Sequence, residues 1–109
     1  MVAYWLARAK INDPIEYKKY TDQIPAIHEK HQGKVLARGG DYQILEGPET
    51  FERFVVIEFP SMAQAVACFK SPEYVAAAKF RRTDTAGQNE LVIVETIEAK
   101  PRRLASSAD

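Results

Sequence analysis

The sequence has a single cysteine, Cys68, so it cannot form an internal disulfide. A lone thiol fits a reducing compartment, and a cytoplasmic location is expected. It also lacks an excess of either charge: fifteen Lys and Arg face fifteen Asp and Glu, for a formal net charge of +0. Neither nucleic acid nor an anionic membrane is therefore expected as a partner. No apolar run approaches the roughly 20 residues of a membrane-spanning helix. The opening stretch MVAYWLARAKINDP has no basic region, long apolar run or small-residue cleavage site of a secretion signal. There is no phosphate loop, no nucleophile elbow, no GxGxxG and no repeat at a fixed period. His28 and His31 stand three apart, but no other His and no Cys lies near them in the sequence to supply a third ligand. Neither a metal nor a cofactor is expected.

What is present is ordinary for a globular domain: 109 residues, 46% hydrophobic and 28% charged. That length fits one domain with one core, expected over residues 1–99. The polar end KPRRLASSAD, residues 100–109, is expected to be a frayed tail.

Val2 to Ala9 is apolar or aromatic at both odd and even positions, the pattern of a strand covered on both faces. NDPIE starts a helix, with Asp13 as cap, Pro14 in the first helical position and Glu16 three residues after the cap. Tyr17, Tyr20, Ile24, Ile27 and His31 then form one face, with a kink predicted at Pro25 and an end at Gly33. Lys34 to Arg38 reads as a strand that Tyr42 to Leu45 continues, and the Gly39-Gly40 pair predicts a bulge between them. Arg53 to Phe59 is the best strand and is again apolar on both faces. Helical signal fills Met62 to Arg82, TAGQN breaks it, and Leu91 to Ile97 is a last strand. The order β-α-β-β-α-β predicts an α+β, ferredoxin-like domain. Its four-stranded antiparallel sheet has the order 4-1-3-2, with the helices on one face. Leaving a large aliphatic in water forfeits about 1.5–3 kcal/mol. The face without helices therefore calls for a cover, and a second copy packed sheet on sheet is the simplest one.

Four stretches, YWLAR, GKVLARGG, VVIEFPS and SPEYVAAAKFR, occur in the order and spacing of the domain of unknown function 1330 family. The resemblance spans about Val2 to Ile97. It implies the ferredoxin-like fold and the sheet-to-sheet homodimer of the dimeric α+β barrel superfamily, and no established activity. Relatives in that superfamily include cofactor-independent monooxygenases, small isomerases and haem enzymes. One departure stands out. The family usually shows an aromatic pair before SPEY, often ending in tyrosine, whereas here the pair is Cys68-Phe69 and carries no phenol.

The segment from Ser61 to Arg82 restarts a helix ten residues after starting one. Ser61 caps the first piece, with Gln64 as capping-box partner, and Ser71 caps the second, followed by Pro72 and Glu73. Pro72 disfavours helical geometry at Ser71, so two short helices should meet at an angle. Such a corner fits a helix onto a twisted sheet, or turns Ser71 and Tyr74 toward a cavity.

Arg8, Arg38, Glu58 and Glu95 lie in or at the end of largely apolar strands. Buried ions need partners, so an Arg–Glu pair such as Arg8–Glu58, tying strands or subunits together, is one expectation. The other is a ligand site. Arg38, Arg8, Ser71, Tyr74 and Trp5 are its candidate ligand-binding residues, and Glu58 or His31 its proton acceptor. Arg38 precedes the glycine pair, where a bulge would re-aim it, and its guanidinium suits an oxyanion. His31 falls on the apolar stripe, which also fits simple core packing, as does Cys68.

Two functions follow. One is a homodimer that binds or transforms a small organic acid or carbonyl compound without a cofactor. The other is a non-catalytic module whose main property is dimerisation. A cavity lined by Arg38, Glu58 or Tyr74 would separate them.

Overall fold

A computed structural model describes residues 1–82 and 87–97. Its element order is β1 (Ala3–Ile11), α1 (Pro14–Thr21), α2 (Ile24–Lys30), β2 (Lys34–Arg38), β3 (Arg53–Phe59), α3 (Met62–Lys70), α4 (Pro72–Arg81) and β4 (Gly87–Glu95). The four strands form one sheet in the order β2-β3-β1-β4, and every pairing is antiparallel. This is the expected α+β, ferredoxin-like topology, with each connecting helix broken in two. No helix among the described residues is long and apolar enough to cross a membrane. The tail 100–109 lies outside the described residues, as do the first two residues of TAGQN, while Gly87, Gln88 and Asn89 belong to β4.

The breaks have local causes. Asp13 accepts from the Glu16 amide at 3.1 Å and starts α1 as expected. Proline at Pro25 does not kink a continuous helix. The chain leaves helical hydrogen bonding at Asp22–Gln23, and Pro25 falls in the first turn of α2, where its missing N–H breaks no bond. The restart shifts the phase of the buried stripe. Ile24, Ile27 and His28 are buried, while His31 is only partly covered. The left-handed residue after α2 is Gln32, with φ 67°, rather than Gly33. Gly33 answers a different need, because a Cβ there would lie 2.9 Å from the Phe59 ring.

At the second corner the Ser61 hydroxyl accepts from the Gln64 amide at 3.1 Å, and the Ser71 hydroxyl accepts from the Tyr74 amide at 3.2 Å. The Ser71 hydroxyl also donates to the Cys68 carbonyl at 2.7 Å. One side chain therefore closes α3 and opens α4. The Gln64 side chain does not complete a capping box; it donates to the His31 carbonyl and ties α3 to the end of α2.

Odd residues of β1 face the helices. Trp5 is 1% exposed and packs against Phe59, Phe69, Tyr74 and His28, with ring centroids 5.1–6.0 Å apart. Even residues face the other way. There Val56, Leu6 and Val92 form a row across three strands, and Tyr4 is flanked by Glu58 and Val94. Leu6, Val92 and Val94 are 40%, 57% and 45% exposed.

Three expectations about the strands are corrected. Tyr42–Leu45 does not continue β2, since residues 39–52 form no strand. The bulge falls between Val35 and Ala37, not at the glycine pair. β4 starts at Gly87, four residues earlier than its apolar run, because Gln88, Asn89 and Glu90 pair with Lys10, Ala9 and Arg8.

Candidate functional site

The bulge at Leu36 decides where Arg38 points. Strict alternation would put Arg38 on the same face as Lys34, away from the helices. One extra residue inverts the parity, so Arg38 pairs with Val55 and joins the helix side. Arg53 sits two residues from Val55 on the neighbouring strand and shares that side. Gly39, at φ +68°, passes close to it, and a Cβ there would be 3.1 Å from an Arg53 guanidinium nitrogen.

These two arginines flank a partly open cavity of about 230 Å³ between sheet and helices. Every element except α3 contributes to its lining. Trp5, Tyr17, Tyr20 and Ile24 supply apolar and aromatic wall, and Val55, Ile57 and Leu91 belong to the sheet side.

Its charge is one-sided. Arg38, Arg53 and Arg81 line it, while Arg8 and Glu90, the one acidic residue among its described neighbours, border it from paired strand positions whose side chains face away from the helices. Glu90 is already engaged, since Arg8 binds its carboxylate at 2.9 Å. No carboxylate among the described residues pairs with Arg38, Arg53 or Arg81. Arg81 is the most unusual of the three, because it is 7% exposed. A buried guanidinium without a carboxylate is costly unless other groups support it. Arg81 donates to the Tyr74 hydroxyl at 3.2 Å and lies over the Tyr20 ring at 5.4 Å. The Tyr74 and Tyr20 hydroxyls are 2.9 Å apart. Burial drives the Tyr20 phenol well above its ordinary range, so it stays neutral beside Arg81. Tyr17 donates to the Asn89 side chain at 3.2 Å, and Asn89 in turn donates to the Arg81 carbonyl. Burial also raises Tyr17, and the charges of Arg53 and Arg81 both oppose that rise. Its phenol thus lies within the fields of two guanidinium groups.

His28 borders the same cavity. It is 2% exposed, and neither ring nitrogen has a hydrogen-bond partner among the described residues. Burial, then the charges of Arg38 and His31, hold its pKa down at about 4. Leaving a buried polar group unpaired costs about 1–3 kcal/mol.

Of the residues singled out in the sequence, Trp5 and Arg38 line the cavity and Arg8 borders it. Tyr74 stands behind it and holds Arg81. Ser71 is buried at the helix corner. Glu58 lies on the opposite face of the sheet, opposite Tyr4 and Lys34. The expected Arg8–Glu58 pair is replaced by Arg8–Glu90, because β4 places Glu90 directly opposite Arg8. His31 is engaged by Glu73 at 3.0 Å and does not line the cavity. Arg53 and Arg81 escaped the sequence reading, and His28 entered it only as half of a histidine pair. Arg53 and Arg81 sit at element ends, where a surface role is the ordinary expectation. His28 was hidden by a helix phase carried unbroken through Pro25.

The sequence matches the family described as Domain of unknown function (DUF1330) over residues 2–97. The chain belongs to that family. A protein of unknown function from Rhodopseudomonas palustris is similar in structure, with a TM-score of 0.69 and 22% identity over 90% of this chain and 84% of its own. A dimeric protein of unknown function with a ferredoxin-like fold, from Bacteroides fragilis, gives 0.59 and 18% over 87% and 96%. A cofactor-independent oxygenase from Streptomyces nogalater gives 0.59 and 13% over 93% and 98%. These likenesses establish the shared fold. No curated protein matches the sequence.

Proposed function

We propose that this DUF1330 protein is a homodimer that binds a small organic acid in the cavity between sheet and helices. Arg38 and Arg53 hold the carboxylate, and the body of the ligand lies against Trp5, Tyr17 and Tyr20. The observation that carries this reading is the set of guanidinium groups around an aromatic-lined cavity with no free carboxylate among the described residues to neutralise them. Guanidinium groups bind carboxylates through paired N–H donors, and an apolar wall raises the strength of that contact by excluding water. The volume, about 230 Å³, is below the roughly 300–1,000 Å³ of pockets for drug-sized molecules, so the ligand is small.

The homodimer is supported by the apolar row of Val56, Leu6 and Val92, of which Leu6 and Val92 are exposed, and by the dimeric structural neighbour from Bacteroides fragilis. Chemistry on an enolisable carbonyl compound, without a cofactor, is the enzymatic form of the reading. The oxygenase from Streptomyces nogalater shows that the fold accommodates cofactor-independent catalysis.

A thermal-shift screen of small carboxylates on wild type, Arg38→Gln and Arg53→Gln tests the site. An acid at a hundredfold its Kd stabilises the folded state by about 2.7 kcal/mol, which is readily seen in Tm. Stabilisation that shrinks in both variants supports the site. Equal stabilisation of all three proteins removes these arginines from it. No stabilisation by any acid favours a module whose main property is dimerisation.

A further inference from the structure

The cavity is charged at two ends, not one. Arg38 and Arg53 come from β2 and β3. Arg81 comes from the last turn of α4, and its backbone carbonyl is held by Asn89 of β4. In the sheet, Arg53 is opposite Ala9 and Ala9 is opposite Asn89, so one whole strand separates the two ends. Strands are about 4.7–4.9 Å apart, which puts the β3 and β4 backbones roughly 10 Å from each other. The Tyr17 hydroxyl is bonded to Asn89.

Arg81 is a buried cation held by neutral groups. Its residue is 7% exposed, one nitrogen donates to Tyr74, and its ring neighbour is Tyr20. Arg81 lines the cavity, and no carboxylate among the described residues neutralises it there. A charge this well buried, braced by two phenols and facing a cavity, is built to meet an anion.

We propose that the ligand carries two acidic groups, one held by Arg38 and Arg53 and the other by Arg81, with a short apolar or aromatic body between them. This rests on the cavity being an acid site. It adds that the ligand is a small dicarboxylate or an equivalent dianion. Asn89 stands at the Arg81 end, and Tyr17, bonded to it, lies within the fields of both Arg53 and Arg81.

Isothermal titration with matched probes tests this: isophthalate against benzoate, and glutarate against valerate. Wild type should bind each diacid at least tenfold more tightly than its monoacid. Arg81→Gln should bring that ratio close to one, with the larger loss on the diacid. Arg53→Gln, at a partly exposed position, should also shrink the ratio, and it keeps the test open if Arg81→Gln does not fold. Equal affinity for diacid and monoacid in wild type overturns the two-ended site while leaving the acid site standing. A diacid preference that survives in the folded variants overturns it as well. Failure of all four probes to bind overturns both readings.

Discussion

His31 Nε2 donates to Glu73 Oε2 at 3.0 Å, joining the end of α2 to the first turn of α4. Lys30 reaches the same carboxylate oxygen at 2.9 Å. The Lys30 contact, the backbone amide and His31 together hold the Glu73 carboxyl down at about 2, from an ordinary value of 4.5. The clasp links two helices that pack over the same aromatic cluster.

A carboxyl depressed in the folded state stabilises the fold above its unfolded pKa, and that contribution is lost as pH falls through the folded one. For Glu73 the window runs from about 4.5 down to about 2. Glu73→Gln should therefore be less stable than wild type at pH 6, with the gap closing towards pH 2. Urea midpoints at pH 6, 4 and 3 check it, and a gap that does not narrow with acidification refutes the clasp.

His28 titrates in the same sense but at higher pH. Its folded pKa is about 4 against an ordinary 6.5, so the unfolded chain takes up a proton before the folded one does. Stability is full above pH 6.5 and falls between 6.5 and 4, by about 3 kcal/mol at most. His28→Leu should lack that fall and should be at least as stable as wild type at pH 7, since it removes two unpaired buried nitrogens. Matching stability profiles for the two proteins between pH 7 and 4.5 would show that His28 is solvated and paired.

Ser71→Ala should cost about 0.5–2 kcal/mol. The hydroxyl both accepts from the Tyr74 amide and donates to the Cys68 carbonyl, so its loss loosens two helices at one point. Denaturant midpoints measure it, and an unchanged midpoint would mean that water replaces the hydroxyl at the corner.

Sedimentation at micromolar concentration should give twice the 12.3 kDa chain mass. Val92→Glu places a charge at the exposed end of the Val56–Leu6–Val92 row and should shift the protein to monomer. A well-folded wild-type monomer defeats the sheet-to-sheet dimer.

Local chemistry alone wrote the element order into the sequence. Asp13, Ser61 and Ser71 cap helices through atoms three residues away. The apolar content of both faces of Arg53–Phe59 follows from period-2 alternation, which needs no tertiary information. The sheet order followed from those elements by topology. The site did not, because it depends on parity and phase. One bulged residue at Leu36 turned Arg38 toward the helices, and one break at Asp22–Gln23 exchanged His31 for His28 in the interior. Each shift is a single residue locally, yet it moves a side chain to the other side of its element. Glu58 illustrates the converse: its carboxylate lies on the far face because Tyr4 and Lys34 pair with it there. Arg81 and Arg53, 28 positions apart in the chain, meet around one cavity only because β1 lies between β3 and β4. Contacts of that range are selected by the packing of the whole sheet, so no window of neighbouring residues could contain them.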